Sequence, residues 1–224
     1  MSIKSWTEVV RLHPDVESED TPIATYAIDL GAIVEGDPNV PPTYKDPYSF
    51  FRATYLTKDM RVLIEEVYYR LSGKEGNRVL QLRSPFGGGK SHTLATLYYA
   101  LRNRKELEIS FPEMKSLPKI ENVRIAVFDG EKFDALNGKK VNGNTIQTIW
   151  GYIAWQLGEY KLLKEHDQKR VAPGGDLIKR MLGEKPVLII LDEVSRYLEK
   201  SMAVKVEDST LYRQVLDFMQ TITT

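Results

Sequence analysis

Residues 84 to 91 read Ser84, Pro85, Phe86, Gly87, Gly88, Gly89, Lys90, Ser91. Three successive glycines, a lysine and a hydroxyl are the residue types that hold phosphate. The glycines let the backbone fold tightly with its N–H groups turned inward, and the positive end of a following helix completes the cradle. Lys90 would reach the β- and γ-phosphates as a mobile charge, and Ser91 would ligate a magnesium ion bridging the same oxygens. His92, next in line, falls within reach of a phosphate or packs as a partly buried helix residue. The strict pattern G-x-x-x-x-G-K-[ST] has glycine where this chain has Ser84, a small replacement at a turn. Alone, the triplet also fits an ordinary flexible turn.

A second feature about a hundred residues on gives the loop its meaning. Val187-Leu-Ile-Ile-Leu191 is an uninterrupted apolar run with Pro186 before it and Asp192-Glu193 after it. A short run without polar alternation predicts a strand buried on both faces, as in parallel sheets covered by helices. Open α/β sheets bind ligands beyond the carboxyl ends of such strands, where the acidic pair falls. This is the form of a Walker B motif. Asp192 would hold the magnesium through water, and Glu193 would orient the attacking water, as in hydrolysing P-loop ATPases. Lys90 and Glu193 are thus the expected catalytic residues, and Ser91 and Asp192 the expected magnesium ligands. Ser84 through His92 would line the nucleotide site, with ATP and Mg²⁺ as cofactors.

These residues need elements to position them. Arg78-Val-Leu-Gln-Leu82 leads into the loop as an expected strand, and Ser91 to Leu101 leads out as a helix. Upstream, Ser5 and Glu8 form a capping box for a short helix over Trp6–Leu12. Ala24 to Leu30 alternates as a strand, and Gly36-Asp-Pro-Asn39 with Pro41-Pro42 predicts a turn and an extended connection. Thr57 caps a helix whose apolar residues are Met60, Leu63, Ile64, Val67 and Leu71, stopped by Gly73. Arg102-Asn-Arg-Lys105 places cations at the end of the loop's helix, where they favour its dipole. A polar stretch, Glu106 to Asn122, precedes a second strand, Val123–Phe128, which ends at Asp129-Gly130. A long loop to Asn144 follows. Asn144 and Gln147 open an amphipathic helix with the stripe Ile146, Ile149, Trp150, Ile153, Leu157 and Tyr160. Asp176 to Leu182 is a short helix, and the segment after Glu193 reads as helical.

The 224 residues suit one large domain, and 42% apolar with 28% charged side chains is ordinary for a globular chain. The 31 basic and 31 acidic side chains cancel, so nothing draws the whole chain to nucleic acid or anionic lipid. Without cysteine there are no disulfides and no thiol chemistry, which fits a reducing, cytoplasmic setting. The three histidines lack metal-site spacing. The five-residue apolar run is far too short to span a membrane.

The predicted fold class is α/β, a P-loop NTPase of the AAA-like ATPase branch. It would be a three-layer parallel sheet with helices on both faces. Residues 1–57 would form an N-terminal extension packed on the ATPase core, and residues 58–224 the N-terminal part of the ATPase domain. By resemblance to that branch another strand should lie between the Walker B strand and the loop's strand. The chain stops at Thr224, about where that strand should begin, so the sheet is expected to be incomplete at its C-terminus. Sensor residues, an arginine finger and a helical lid are expected beyond Thr224.

The runs Thr25-Tyr-Ala-Ile-Asp-Leu30, Asp46-Pro-Tyr-Ser-Phe-Phe51, Thr54-Tyr-Leu-Thr57 and Leu71-Ser-Gly73, with the Ser84–Ser91 loop, resemble a prokaryotic domain-of-unknown-function family. Its members are large ATPases often encoded beside DNA methyltransferases and helicase-like proteins. The resemblance implies ATP binding, an oligomer or protein complex in the full-length form, DNA reached through partners, and no membrane. The expected function is a Mg-ATP-hydrolysing motor or switch in a DNA-related defence or modification complex. The alternative is a nucleotide-binding regulatory module without turnover. A GTPase is disfavoured because no Asn-Lys-x-Asp motif is present. Lesser candidates are Arg83 and Arg196 beside the two motifs, Asp129 as a loop cap or catalytic accessory, and Tyr44–Phe51 as a face for the base. The pairs Lys139-Lys140, Lys169-Arg170 and Lys179-Arg180 read as solvated faces rather than a nucleic-acid stripe.

Overall fold

The computed structural model describes residues 28–83 and 89–224. The expected helix over Trp6–Leu12 and the segment Ser84–Gly88 lie outside them. Of the expected strand Ala24–Leu30, the described end is not a strand. Asp29 Oδ1 accepts the Ala32 N–H at 2.8 Å and caps a helix, α1 (Leu30–Glu35), which ends at Gly36 in the left-handed region at φ 68°. An aspartate followed by Leu-Gly-Ala-Ile supplies its own helix start, and that local bond prevails over the apparent alternation.

Pro41 is extended as expected, but Pro42 opens a single turn, α2 (Pro42–Lys45). Asp46 and Pro47 then start α3 (Pro47–Ala53), with Asp46 Oδ2 accepting the Ser49 N–H at 2.8 Å. A proline at the first helical position gives up a donor that would be unpaired there anyway. Thr57 caps α4 (Lys58–Leu71) through the Met60 N–H at 3.2 Å, on the expected apolar spacing.

Arg78–Leu82 corrects the expectation of a strand leading into the glycines. Among the described residues its backbone joins no strand, and Val79 and Leu80 are 52% and 36% exposed. Apolar residues favour a strand only where a neighbour completes the ladder.

The loop's helix is α5 (Lys90–Arg102). The polar stretch beyond it is more regular than expected: α6 (Arg104–Ser110) and a 3₁₀ turn over Pro112–Ser116. Arg104 ties this piece down, donating to Glu108 Oε1 at 2.6 Å and to the carbonyls of Leu117 and Pro118 at 2.6 and 2.5 Å.

β1 (Arg124–Asp129) is followed by a hairpin, β2 (Lys139–Val141) and β3 (Asn144–Ile146), inside the expected loop. Its turn residues Asn142 and Gly143 take φ 46° and 78°, the left-handed pair that Asn-Gly favours in two-residue hairpins. The amphipathic stripe begins at Ile146 in β3 and continues through two helices, α7 (Ile149–Gln156) and α8 (Tyr160–Lys169), broken at Gly158. The start at Asn144 moves to Thr148, whose Oγ1 accepts the Gly151 N–H at 3.1 Å. α9 (Gly175–Leu182) leads to β4 (Val187–Asp192). After α10 (Val194–Ser201), a small hairpin, β5 (Lys205–Val206) and β6 (Ser209–Thr210), interrupts the helical C-terminal segment before α11 (Leu211–Thr223).

β1 and β4 pair in parallel from Arg124 opposite Val187 to Asp129 opposite Asp192. Alternation along both strands divides the interior. Ala126, Phe128, Ile189 and Leu191 face a core built around Trp150, Leu163, Met181 and Phe218. Val127, Leu188 and Ile190 face a second core with Leu30, Phe50, Phe51, Ile64 and Leu97. The chain is therefore α/β, with helices over both faces of a small parallel sheet.

Candidate functional site

Asp129 and Asp192 end the two parallel strands in register, at the carboxyl edge of the sheet. Against this edge stands the N-terminus of α5. Gly89 enters it at φ 72°, and among the described residues no side chain caps its first turn, which leaves the early N–H donors to a ligand or water. The tertiary fold brings the two sequence motifs together here. Ser91 Oγ donates to Asp192 Oδ2 at 2.9 Å, across 101 residues of chain.

Glu193 follows in the left-handed region at φ 48° and begins α10; its N–H lies 3.1 Å from Asp192 Oδ1. Such a conformation in a residue with a side chain is uncommon and strained. Gly130, just past β1, packs directly on Glu193: a Cβ there would overlap the Glu193 carbonyl. Its N–H also bonds Asp192 O at 2.9 Å. Glycine is thus required for the two strand ends to approach.

Asp129 caps its own turn. Its Oδ1 accepts from the N–H groups of Glu131 at 2.9 Å and Lys132 at 3.4 Å. Burial pushes its carboxyl above the ordinary range; those two bonds oppose the shift, and the neighbouring charges of Asp29 and Asp192 add to it. Helix α1 lies on this carboxylate. A Cβ at Gly31 would come within 2.8 Å of Asp129 Oδ2. Ion pairs from Lys132 to Asp29 and from Lys139 to Glu35 clamp α1 at both ends, and the Tyr152 hydroxyl donates to Glu35 at 3.2 Å.

Between α1 with the segment after it and the strand ends runs a cleft of about 800 Å³. Ser91, Asp129, Asp192 and Glu193 form its polar end; Ile33, Val40 and Tyr44 contribute apolar wall. Phe50 and Phe51 are 0% and 1% exposed and packed in the core, so the expected base face does not extend to them. The His92 ring stacks on Phe50 at 5.2 Å, with Nε2 3.1 Å from Thr54 Oγ1, and burial lowers its pKa. Arg83 is held by Gln81 at 2.9 and 3.1 Å, and Arg196 is exposed. In the basic pairs, Lys139 is bound to Glu35, and Lys169 to Glu165 at 2.7 Å.

No group of three or more His, Cys, Asp or Glu residues among the described residues could enclose a metal. A serine hydroxyl beside one carboxylate is nevertheless an oxygen set that suits magnesium, which keeps several waters and takes few protein ligands.

A family model described as DUF499 N-terminal domain matches residues 4–224. The chain belongs to that family. Neither the curated proteins nor the solved structures yield a significant match. In this DUF499 N-terminal domain, the residues missed from the sequence are those that frame the cleft: Asp29, Gly31, Gly130 and Lys132. The Asp29 capping signal was visible, but its placement over β1 depends on contacts 100 residues apart. No helix among the described residues is long and apolar enough to cross a membrane.

Proposed function

We propose that this DUF499 domain binds Mg-ATP in the manner of a P-loop ATPase. The observation that carries the reading is the 2.9 Å hydrogen bond between Ser91 and Asp192, because it joins the residue after Lys90 to the strand-end acid. The parallel strand ending in Asp192-Glu193, covered on both faces, supports assignment to the AAA-like ATPase branch. In this reading Lys90 and the early N–H groups of α5 hold the β- and γ-phosphates, with the loop Ser84–Gly88 before them. Ser91 and Asp192 hold the magnesium, which neutralises charge on the phosphate oxygens when bound. Glu193, fixed by its backbone at the mouth of the cleft, orients the attacking water.

The full-length protein is then an ATP-driven motor or switch in an oligomer or complex, reaching DNA through partners. One observation favours binding without turnover by this domain alone: no arginine lines the cleft among the described residues. A charge-stabilising arginine is worth about 10³-fold or more in rate to such enzymes.

Calorimetric titration with Mg-ATP tests the assignment. Lys90→Ala should abolish binding, while Glu193→Gln should retain it and stop any turnover measured in the full-length protein. Unchanged affinity in Lys90→Ala would remove the phosphate-loop assignment.

A further inference from the structure

The cleft is strongly acidic. Asp29, Asp37, Asp129, Glu131, Asp192 and Glu193 line it, and Lys132 is the one cation among the described residues that do so. A triphosphate entering such a cleft needs positive charge beyond the magnesium, or repulsion from the carboxylates opposes it. Lys90 supplies one such charge from the start of α5, whereas two other neighbouring lysines are committed elsewhere. Lys200 donates to the carbonyls of Gly130 and Glu131, and Lys139 pairs with Glu35 while resting 5.1 Å over the Tyr152 ring.

Lys132 is placed differently. Its backbone is fixed beside the site because its N–H bonds Asp129, the register partner of Asp192. Its ammonium ends on Asp29 in a partly exposed pair, the kind that contributes little and is exchanged readily. Burial alone would lower the Lys132 pKa, but the hydrogen bond and charge of Asp29, then Asp129 and Glu35, hold it above the ordinary value and keep the group charged. A lysine stem is flexible enough to move its charge from one anion to another.

We propose that Lys132 is the residue that meets the terminal phosphate from the cleft side, with Asp29 holding it until nucleotide enters. This rests on the Mg-ATP reading above. It makes Lys132 a charge-stabilising group supplied by the same chain, opposite Lys90. It also makes α1, which carries Asp29 at its cap, a part whose position governs when that charge is released.

The test compares Mg-ADP with Mg-ADP plus beryllium fluoride, a terminal-phosphate mimic, by calorimetry on the wild type, Lys132→Ala, Lys132→Arg, Asp29→Asn and Lys90→Ala. Lys132→Ala should weaken the beryllium fluoride complex about tenfold or more, the size expected for loss of one charge-assisted bond, and leave Mg-ADP unchanged. Lys132→Arg should restore most of the difference, and Asp29→Asn should tighten the beryllium fluoride complex. Equal weakening of both ligands in Lys132→Ala would mark a purely structural ion pair and overturn the proposal, as would no change in either. If Lys90→Ala binds Mg-ADP as well as the wild type, the Mg-ATP reading itself fails and this proposal falls with it.

Discussion

At the scale of single residues, the site joins side chains that chemistry announces with others that only contact explains. Ser91, Asp192 and Glu193 stand out in the sequence because a hydroxyl follows Gly-Lys and an acid pair follows an apolar run. Asp129 is marked in the sequence only by its place at the end of an apolar strand, as a loop cap or an accessory. Its half-buried carboxylate caps a turn while facing two other acids, and its pKa is raised chiefly by burial. The raised value means that Asp129 favours the fold most at pH below the ordinary carboxylate range, and that this contribution is lost as pH rises through its folded pKa. Asp129→Asn keeps an oxygen for the Glu131 and Lys132 N–H groups and removes the charge. It should therefore unfold at higher denaturant concentration than the wild type at pH 7, with the difference shrinking as pH falls toward 4. Denaturant titrations at the two pH values read this directly.

At the scale of elements, the joint between α7 and α8 shows how one buried acid can set a helix pair. Asp167 is fully buried. Its carboxylate accepts the Gln147 and Thr148 N–H groups at 2.9 to 3.1 Å, the Thr148 hydroxyl at 2.6 Å and the Tyr160 hydroxyl at 2.9 Å. It also occupies the space a side chain at Gly151 would need. Burial raises its pKa, and these bonds oppose the shift. Asp167→Ala would leave four donors without a partner, and should lower unfolding stability by about 3 kcal/mol or more, measured by urea denaturation. Little of this was legible beforehand. The stripe from Ile146 to Tyr160 correctly marks residues that pack inward, yet periodicity could not show that Gly158 breaks it or that an acid from the next helix closes the start of α7. The Asn142-Gly143 hairpin, by contrast, carried a readable signal in its dipeptide and was hidden only by the polar residues around it.

At the scale of the whole molecule, two cores share one parallel strand pair, and α1 and α3 belong to the same core as α5. The N-terminal segment thus forms a wall of the cleft. Charge is balanced overall, and Lys139 and Lys169 are held in ion pairs. The chain should accordingly show no salt-dependent affinity for duplex DNA in an equilibrium binding assay at physiological ionic strength, and binding with a steep salt slope would replace partner-mediated contact with direct contact. The sequence by itself marked the strands β1 and β4 and the helix after the glycines, because apolar runs and helical spacing leave local marks. Only the tertiary structure decided that Arg78–Leu82 joins no strand among the described residues, that Asp29 starts a helix, and that Lys132 reaches a shared cleft. Strand pairing and charge placement depend on neighbours far away in the chain, and no local pattern encodes them. Ser91 meets Asp192 only because the parallel pairing carries that acid to the foot of α5.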